Sequence, residues 1–209
     1  WSKPAATLGR LEAQVRLGSP PKVEQITLGA AGLQATGSVT MQAGGGLDLA
    51  RFDRVQMGGR LDAPVELRGR GANKAIGIAV TGGSVDMRKM PGASQRKSSG
   101  GSGGGPLDLR LDSLRISSGI AFTGFQGKFS LAGALNGDFV ASLNGKIAVK
   151  GAVAPSANGS AVRLQSKDAG AVLSAAGIFS AARGGALDLQ LLPRATEGHY
   201  DGTVQITDT

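Results

Sequence analysis

Apolar and polar residues alternate along most of this chain. Val23-Glu24-Gln25-Ile26-Thr27-Leu28 alternates with one irregular step, and the same period runs through 37–41, 76–80 and Val85-Asp86-Met87. Leu107-Asp108-Leu109-Arg110-Leu111-Asp112 has the most regular form. Further copies lie at 128–131, 139–143, 146–149, 187–191 and 202–206. A period of two sends successive side chains to opposite faces of a strand. These runs predict strands with Leu, Ile, Val and Phe on one face and Asp, Arg, Lys, Ser, Thr and Gln on the other. That is the pattern of an antiparallel sheet with one wet face.

Turn residues punctuate the runs. Asn136-Gly137, Asn144-Gly145 and Asn158-Gly159 suit tight hairpins, because both residue types tolerate positive φ. Glycine runs at 44–46, 58–59, 82–83 and 184–185 serve the same purpose, and strands joined this way form a meander. A Leu-Asp step follows one or two residues after a glycine in four places: Leu47-Asp48, Leu61-Asp62, Leu107-Asp108 and Leu187-Asp188. Their spacing is unequal. They therefore read as a turn-then-strand grammar rather than a solenoid repeat.

Two segments depart from the strand pattern. Residues 91–106, rich in Gly and Ser, have the composition of a flexible loop. They separate a first set of strands in 1–90 from a second set in 107–209, which resumes at once and favours one continuous sheet. Residues 168–182 predict one or two short helices. Ser166-Lys167-Asp168 supplies N-cap candidates, 169–176 is Ala-rich, and Gly177 is a stop. A helix of ~10 residues is marginal alone and must pack on the sheet.

Composition sharpens this reading. The 209 residues include 35 glycines but only six Phe, one Tyr and one Trp. The chain is short of the aromatic side chains that usually cover a sheet, which favours a shallow apolar face over a thick core. An apolar face of this extent must be hidden, covered or used. The net charge of +8 is compatible with anionic partners or surfaces. The basic residues are scattered, however, and lack the interleaved aromatics of nucleic-acid binders, so nucleic acid is not expected as a partner. No apolar run reaches the ~20 residues of a membrane-spanning helix. The chain starts at Trp1 without a signal peptide and is read as a piece of something longer.

The search for chemistry is short. With no cysteine, thiolate zinc sites, disulfides and thiol catalysis are excluded. The single histidine, His199, falls at a turn. No Gly-x-Ser-x-Gly elbow stands in a strand–turn–helix setting. The phosphate-loop pattern is absent, and the glycine-rich stretches precede strands rather than helices. Asp48, Asp62, Asp108, Asp112 and Asp188 read as members of a solvated strand face. No catalytic residue, metal site or cofactor is expected.

The second half, with Leu107-Asp108-Leu109-Arg110-Leu111-Asp112-Ser113-Leu114-Arg115-Ile116, Phe122-Thr123-Gly124-Phe125-Gln126-Gly127 and Leu135-Asn136-Gly137-Asp138-Phe139, resembles the AsmA-like family of bacterial envelope proteins. The stretch from Ser166 to Leu189 and Tyr200-Asp201-Gly202-Thr203-Val204 extend the resemblance, as does Gly82-Gly83-Ser84-Val85-Asp86-Met87-Arg88. It covers most of the chain after about residue 75. The resemblance implies a curved antiparallel β-meander forming an open apolar groove. It also implies a periplasmic location, an inner-membrane anchor outside this sequence, possible envelope protein partners, and non-catalytic phospholipid transport toward the outer membrane. The candidate groove lining is Leu107, Leu109, Leu111, Phe129, Leu131, Leu187, Leu189 and Leu191. The competing expectation is a structural envelope scaffold or adhesin-like β domain with a sealed apolar face.

Overall fold

The computed structural model describes residues 8–72, 74–90, 104–132, 134–179, 181–196 and 198–208. They form one curved sheet of fourteen strands and a single α-helix. The strands are β1 (Arg10–Arg16), β2 (Lys22–Ala30), β3 (Leu33–Met41), β4 (Leu47–Met57), β5 (Leu61–Arg68), β6 (Gly77–Thr81) and β7 (Ser84–Asp86). After a 3-10 turn at Met87–Lys89 come β8 (Pro106–Arg115), β9 (Ala121–Ser130), β10 (Asn136–Leu143), β11 (Ile147–Ser156) and β12 (Gly159–Ser166). The helix α1 (Ala169–Ala175) precedes β13 (Ala186–Pro193) and β14 (Tyr200–Thr207).

Sequence neighbours pair antiparallel, as alternation and short turns predict, with one exception. The β6 and β7 strands lie parallel to β8, pairing Ile78 with Leu107 and Val85 with Leu114. The strands on either side of 91–106 therefore share one sheet. Of that predicted loop, 91–103 lies outside the described residues, and Pro106 is already the first residue of β8.

All four Leu-Asp steps lie at strand starts, with the leucine turned to the apolar face and the aspartate to the other. Asp62 receives both arms of Arg54 at 2.7 Å, and Asp188 receives Arg163 Nε at 2.9 Å. The Asn-Gly pairs behave less uniformly. Asn144 and Gly145 do turn, at φ 48° and 74°. Asn144 also accepts from Ala121 N and donates to Gly119 O, each at 2.9 Å, tying its hairpin to the one before. Asn136-Gly137, in contrast, is the start of β10, and the turn before β12 is Ala157-Asn158. In both places a neighbouring strand supplies ladder partners that local turn preference does not foresee.

The helix forms where predicted. Asp168 caps it by accepting from Ala171 N at 2.9 Å. Gly177, at φ 73°, closes it: Gly177 N donates to Ser174 O and Ile178 N to Leu173 O, both at 3.0 Å. This paired closure is a Schellman motif. It also explains why the described residues of 178–182 are not helical, so one helix stands where one or two were expected. Ala169 and Val172 pack onto Leu187 within the main apolar cluster, and Ala169 N and Gly170 N donate to Gly185 O and Gly184 O.

Candidate functional site

The apolar face is the candidate site. In β8 and β9, Leu107, Leu109 and Leu111 stand opposite Phe129, Gly127 and Phe125. In β10, Phe139 stands between Gly127 and Gly151. A side chain at either glycine would run into a phenyl ring, that of Phe129 at Gly127 and that of Phe139 at Gly151. The glycines therefore provide the floor on which the few phenylalanines lie. Phe125 stacks on Phe139 with ring centres 5.1 Å apart and on Phe129 at 6.3 Å, while Phe122 meets Phe139 at 6.0 Å. These separations fall in the favourable range for aromatic pairs.

From this aromatic centre the apolar strip runs both ways. Towards β13 it continues through Val149, Val153 and Leu164 to Leu187 and Leu189. Towards β2 it passes Val80, Val65 and Leu61. The last two also pack against a second cluster of Leu33, Ala35 and Val55, which Leu28, Phe52 and Met57 flank. The strip thus crosses most of the sheet. Among the described residues no second sheet packs on it, and α1 covers only the region around Leu187.

Burial changes along the strip. Leu111, Phe125 and Leu143 are 3–4% exposed; neighbouring side chains on the curved face close over them. At the outer strands the same rows are open: Leu11 is 63% and Val15 51% exposed on β1, Val204 49% and Ile206 50% on β14.

The eight residues expected to line a groove lie on this strip or at its margin, but not in one environment. Leu111, Phe129 and Leu187 are buried. Leu107, Leu109, Leu189 and Leu191 are half-buried strand residues, and Leu131 is half-buried just after β9. Alternation missed much of the remaining surface. Phe125 and Phe122 lie three apart yet share the face, because Gly124, at φ 56°, bulges out of β9 opposite Ala141. The signal available was the break in alternation at Thr123-Gly124.

The opposite face is charged, and several of its carboxylates are held by arginines. Arg54 and Gln56 hold Asp62 at a pKa of about 2 by hydrogen bonds. Arg88 does the same to Asp86, as do Arg163 and Gln165 to Asp188. A shallow hollow of about 700 Å³ lies on this face, lined by Asp108, Arg110, Lys128, Asp138, Lys150 and Arg163 among others. Four basic groups stand against two acidic ones around it, with Lys128 between Asp108 and Asp138 across the strands. His199 is exposed between β13 and β14. No three His, Cys, Asp or Glu residues come together to hold a metal among the described residues, and no helix there is long and apolar enough to cross a membrane. Compared with known proteins, the chain matches no protein-family model, no curated protein and no solved structure.

Proposed function

We propose that this chain is a non-catalytic segment of a periplasmic, inner-membrane-anchored protein that holds phospholipid acyl chains on its apolar strip during transport across the envelope. The observation that carries this reading is the apolar strip of a single-layer sheet, continuous over most of its strands, closed over at its centre and open at its outer strands. The AsmA-like motifs of the second half point the same way. Acyl chains would contact the half-buried Leu107, Leu109, Leu131, Leu189 and Leu191 and the open row of Val204 and Ile206. Leu111, Phe129 and Leu187 would support that surface from beneath. Burying one leucine-sized group contributes about 1.5–3 kcal/mol, so several such contacts hold a chain without a dedicated headgroup site. The mechanism implies weak headgroup selectivity.

The test is to purify the chain, extract it and search for phospholipid by mass spectrometry, with a photo-crosslinking side chain at Leu191 or, as a control, at Gln190. Labelling of acyl chains from position 191 but not from 190, and reduced lipid in Leu189→Asp, is the expected result. Lipid-free protein with no labelling from either position overturns the reading. The near-complete burial of Leu111, Phe125 and Leu143 favours a second one, a scaffold whose apolar face seals itself. In that case Leu189→Asp lowers stability and no lipid is found.

A further inference from the structure

From β5 to β13 the connections 58–60, 87–90, 116–120, 144–146 and 167–185 fall on one rim of the sheet. They are fastened to one another. Asp86 N donates to Arg60 O at 2.8 Å, and Gly170 N donates to Gly184 O at 3.0 Å. Asn144 holds the 116–120 turn through Gly119 and Ala121. The Lys89 side chain lies over the first turn, where a Cβ added at Gly59 would meet its Nζ.

This rim exposes large apolar side chains. Met87 and Ile116 are each 40% exposed, Ile178 60% and Phe179 62%. Beside them stand Lys89, Arg115, Lys146, Lys167 and Arg183, all exposed. None of these five is in an ion pair among the described residues. The two carboxylates at these turns are already engaged, Asp86 by Arg88 at 2.7 Å and Asp168 by Ala171 N at 2.9 Å. The opposite rim differs. From β9 to β12 its turns, 131–135 and 157–158, carry no charge. Arg194, beyond them, is paired with Asp201 at 2.8 Å. Over β8 to β13 the unpaired positive charge is therefore gathered at one rim, beside its exposed apolar side chains.

We propose that this rim docks on an anionic lipid bilayer, its apolar side chains entering the interface and its bases meeting headgroup phosphates. The arrangement fits a bilayer better than a protein partner. A protein interface gathers its apolar anchors into one central patch and is depleted of lysine. Here single apolar side chains are spread from β7 to β13, six strand spacings or about 30 Å, and three of the five free bases are lysines. A laterally continuous surface meets all of them at once. Lys and Arg suit the role, because their stems lie along apolar surface while the charged ends stay at headgroup level. Basic side chains near an anionic leaflet are attracted by its surface potential. The inference concerns the rim alone and holds whether or not the apolar strip carries acyl chains.

The chain has no cysteine, so Phe179→Cys can carry a single polarity-sensitive dye, with Asn158→Cys as the control on the opposite rim. Each is titrated with vesicles of phosphatidylglycerol and phosphatidylcholine in equal parts, and with vesicles of phosphatidylcholine alone. Binding to the mixed vesicles only, weakened by salt, is expected, with a blue shift of the dye at 179 and none at 158. Each basic residue at such a surface contributes about fivefold to binding. In the unlabelled chain, Lys146→Gln, Lys167→Gln and Arg183→Gln together should weaken co-sedimentation with mixed vesicles about a hundredfold. Removing the same charge from the opposite rim, through Arg70→Gln, Lys74→Gln and Arg194→Gln, should weaken it far less. Ile178→Ser with Phe179→Ser, at two exposed positions, should weaken it at least about tenfold. No binding to mixed vesicles, equal loss from the two triple variants, or binding that leaves the dye at 179 as exposed as the dye at 158 overturns the proposal. Binding to polyglutamate as tight as to the vesicles points to an acidic protein partner and overturns it too.

Discussion

Phe139 explains how a chain so poor in aromatics buries a core at all. Its ring lies over the cross-strand Gly151, its Cβ abuts Gly127 on the other side, and the ring stacks on Phe125. A methyl group at Gly151 has no free volume, so Gly151→Ala should cost about 1–3 kcal/mol through overpacking. Combining it with Phe139→Leu, which vacates the space, should recover part of that loss. Urea unfolding of the two single variants and the double variant measures the coupling, and strict additivity would sink the explanation. The aspartates make a separate contribution. Asp62, Asp86 and Asp188 sit at about 2 in the folded chain because arginines hydrogen-bond them, below the ordinary value of about 3.9. Between these values the unfolded chain binds more protons, so stability is complete above the unfolded value and falls as pH drops from about 4 to 2. Asp188→Asn should lose less stability than the natural chain between pH 5 and pH 3, measured by denaturant midpoint; an unchanged pH dependence would rule out this role. The Leu-Asp motif announced one half of these pairs. Their partners, Arg54 and Arg163, come from neighbouring strands and are identified only by register.

The irregular steps fall close to one another from strand to strand across the sheet. Register slips at Gln14/Val15, between Val23 and Ile26, at Thr36/Gly37 and between Phe52 and Val55. The line continues through Gly82-Gly83, which separates β6 from β7 at φ 81° and 73°, and ends at Gly124. Gly83 O accepts from both Asp112 N and Ser113 N, marking the same break in β8. Pro64, which has no N–H to offer a ladder, stands beside this line in β5, as strand prolines do at bulges. Bulges bend a strand and increase its twist, and a line of them curves the whole sheet. The strands from β8 onward were largely legible because their alternation is uninterrupted for several residues. The β1, β4, β5 and β12 strands were not singled out. In β4 the bulge shifts the apolar phase halfway along, so Leu47-Asp48-Leu49-Ala50 and Val55-Gln56-Met57 do not form one periodic run, whereas β5 alternates regularly through Leu61, Ala63, Val65 and Leu67 around Pro64. The helix was readable from Asp168 and Gly177 because capping is local chemistry.

As a whole the molecule is close to one-dimensional. Each strand meets its neighbours in the sheet, and the main apolar cluster spans β5 to β13. The centre therefore carries the buried contacts, while every residue of β1 and β14 is exposed. Local opening should follow that gradient. Amide exchange is expected to be slowest in β8 to β11, where Leu111, Phe125, Leu143 and Val149 are 3–4% exposed, and fastest in β1 and β14. Uniform protection from edge to edge would contradict this account of where the stability resides. The sequence by itself determined the one-sided sheet, the capped helix and the absence of thiol chemistry, because alternation, capping and composition are local properties. Only the tertiary structure decided that both halves share one sheet through a parallel step, that bulges return Phe122 and Leu114 to the apolar face, and that this face is closed at its centre and open at its ends. Those features depend on register and curvature between strands far apart in the chain, which no local pattern encodes.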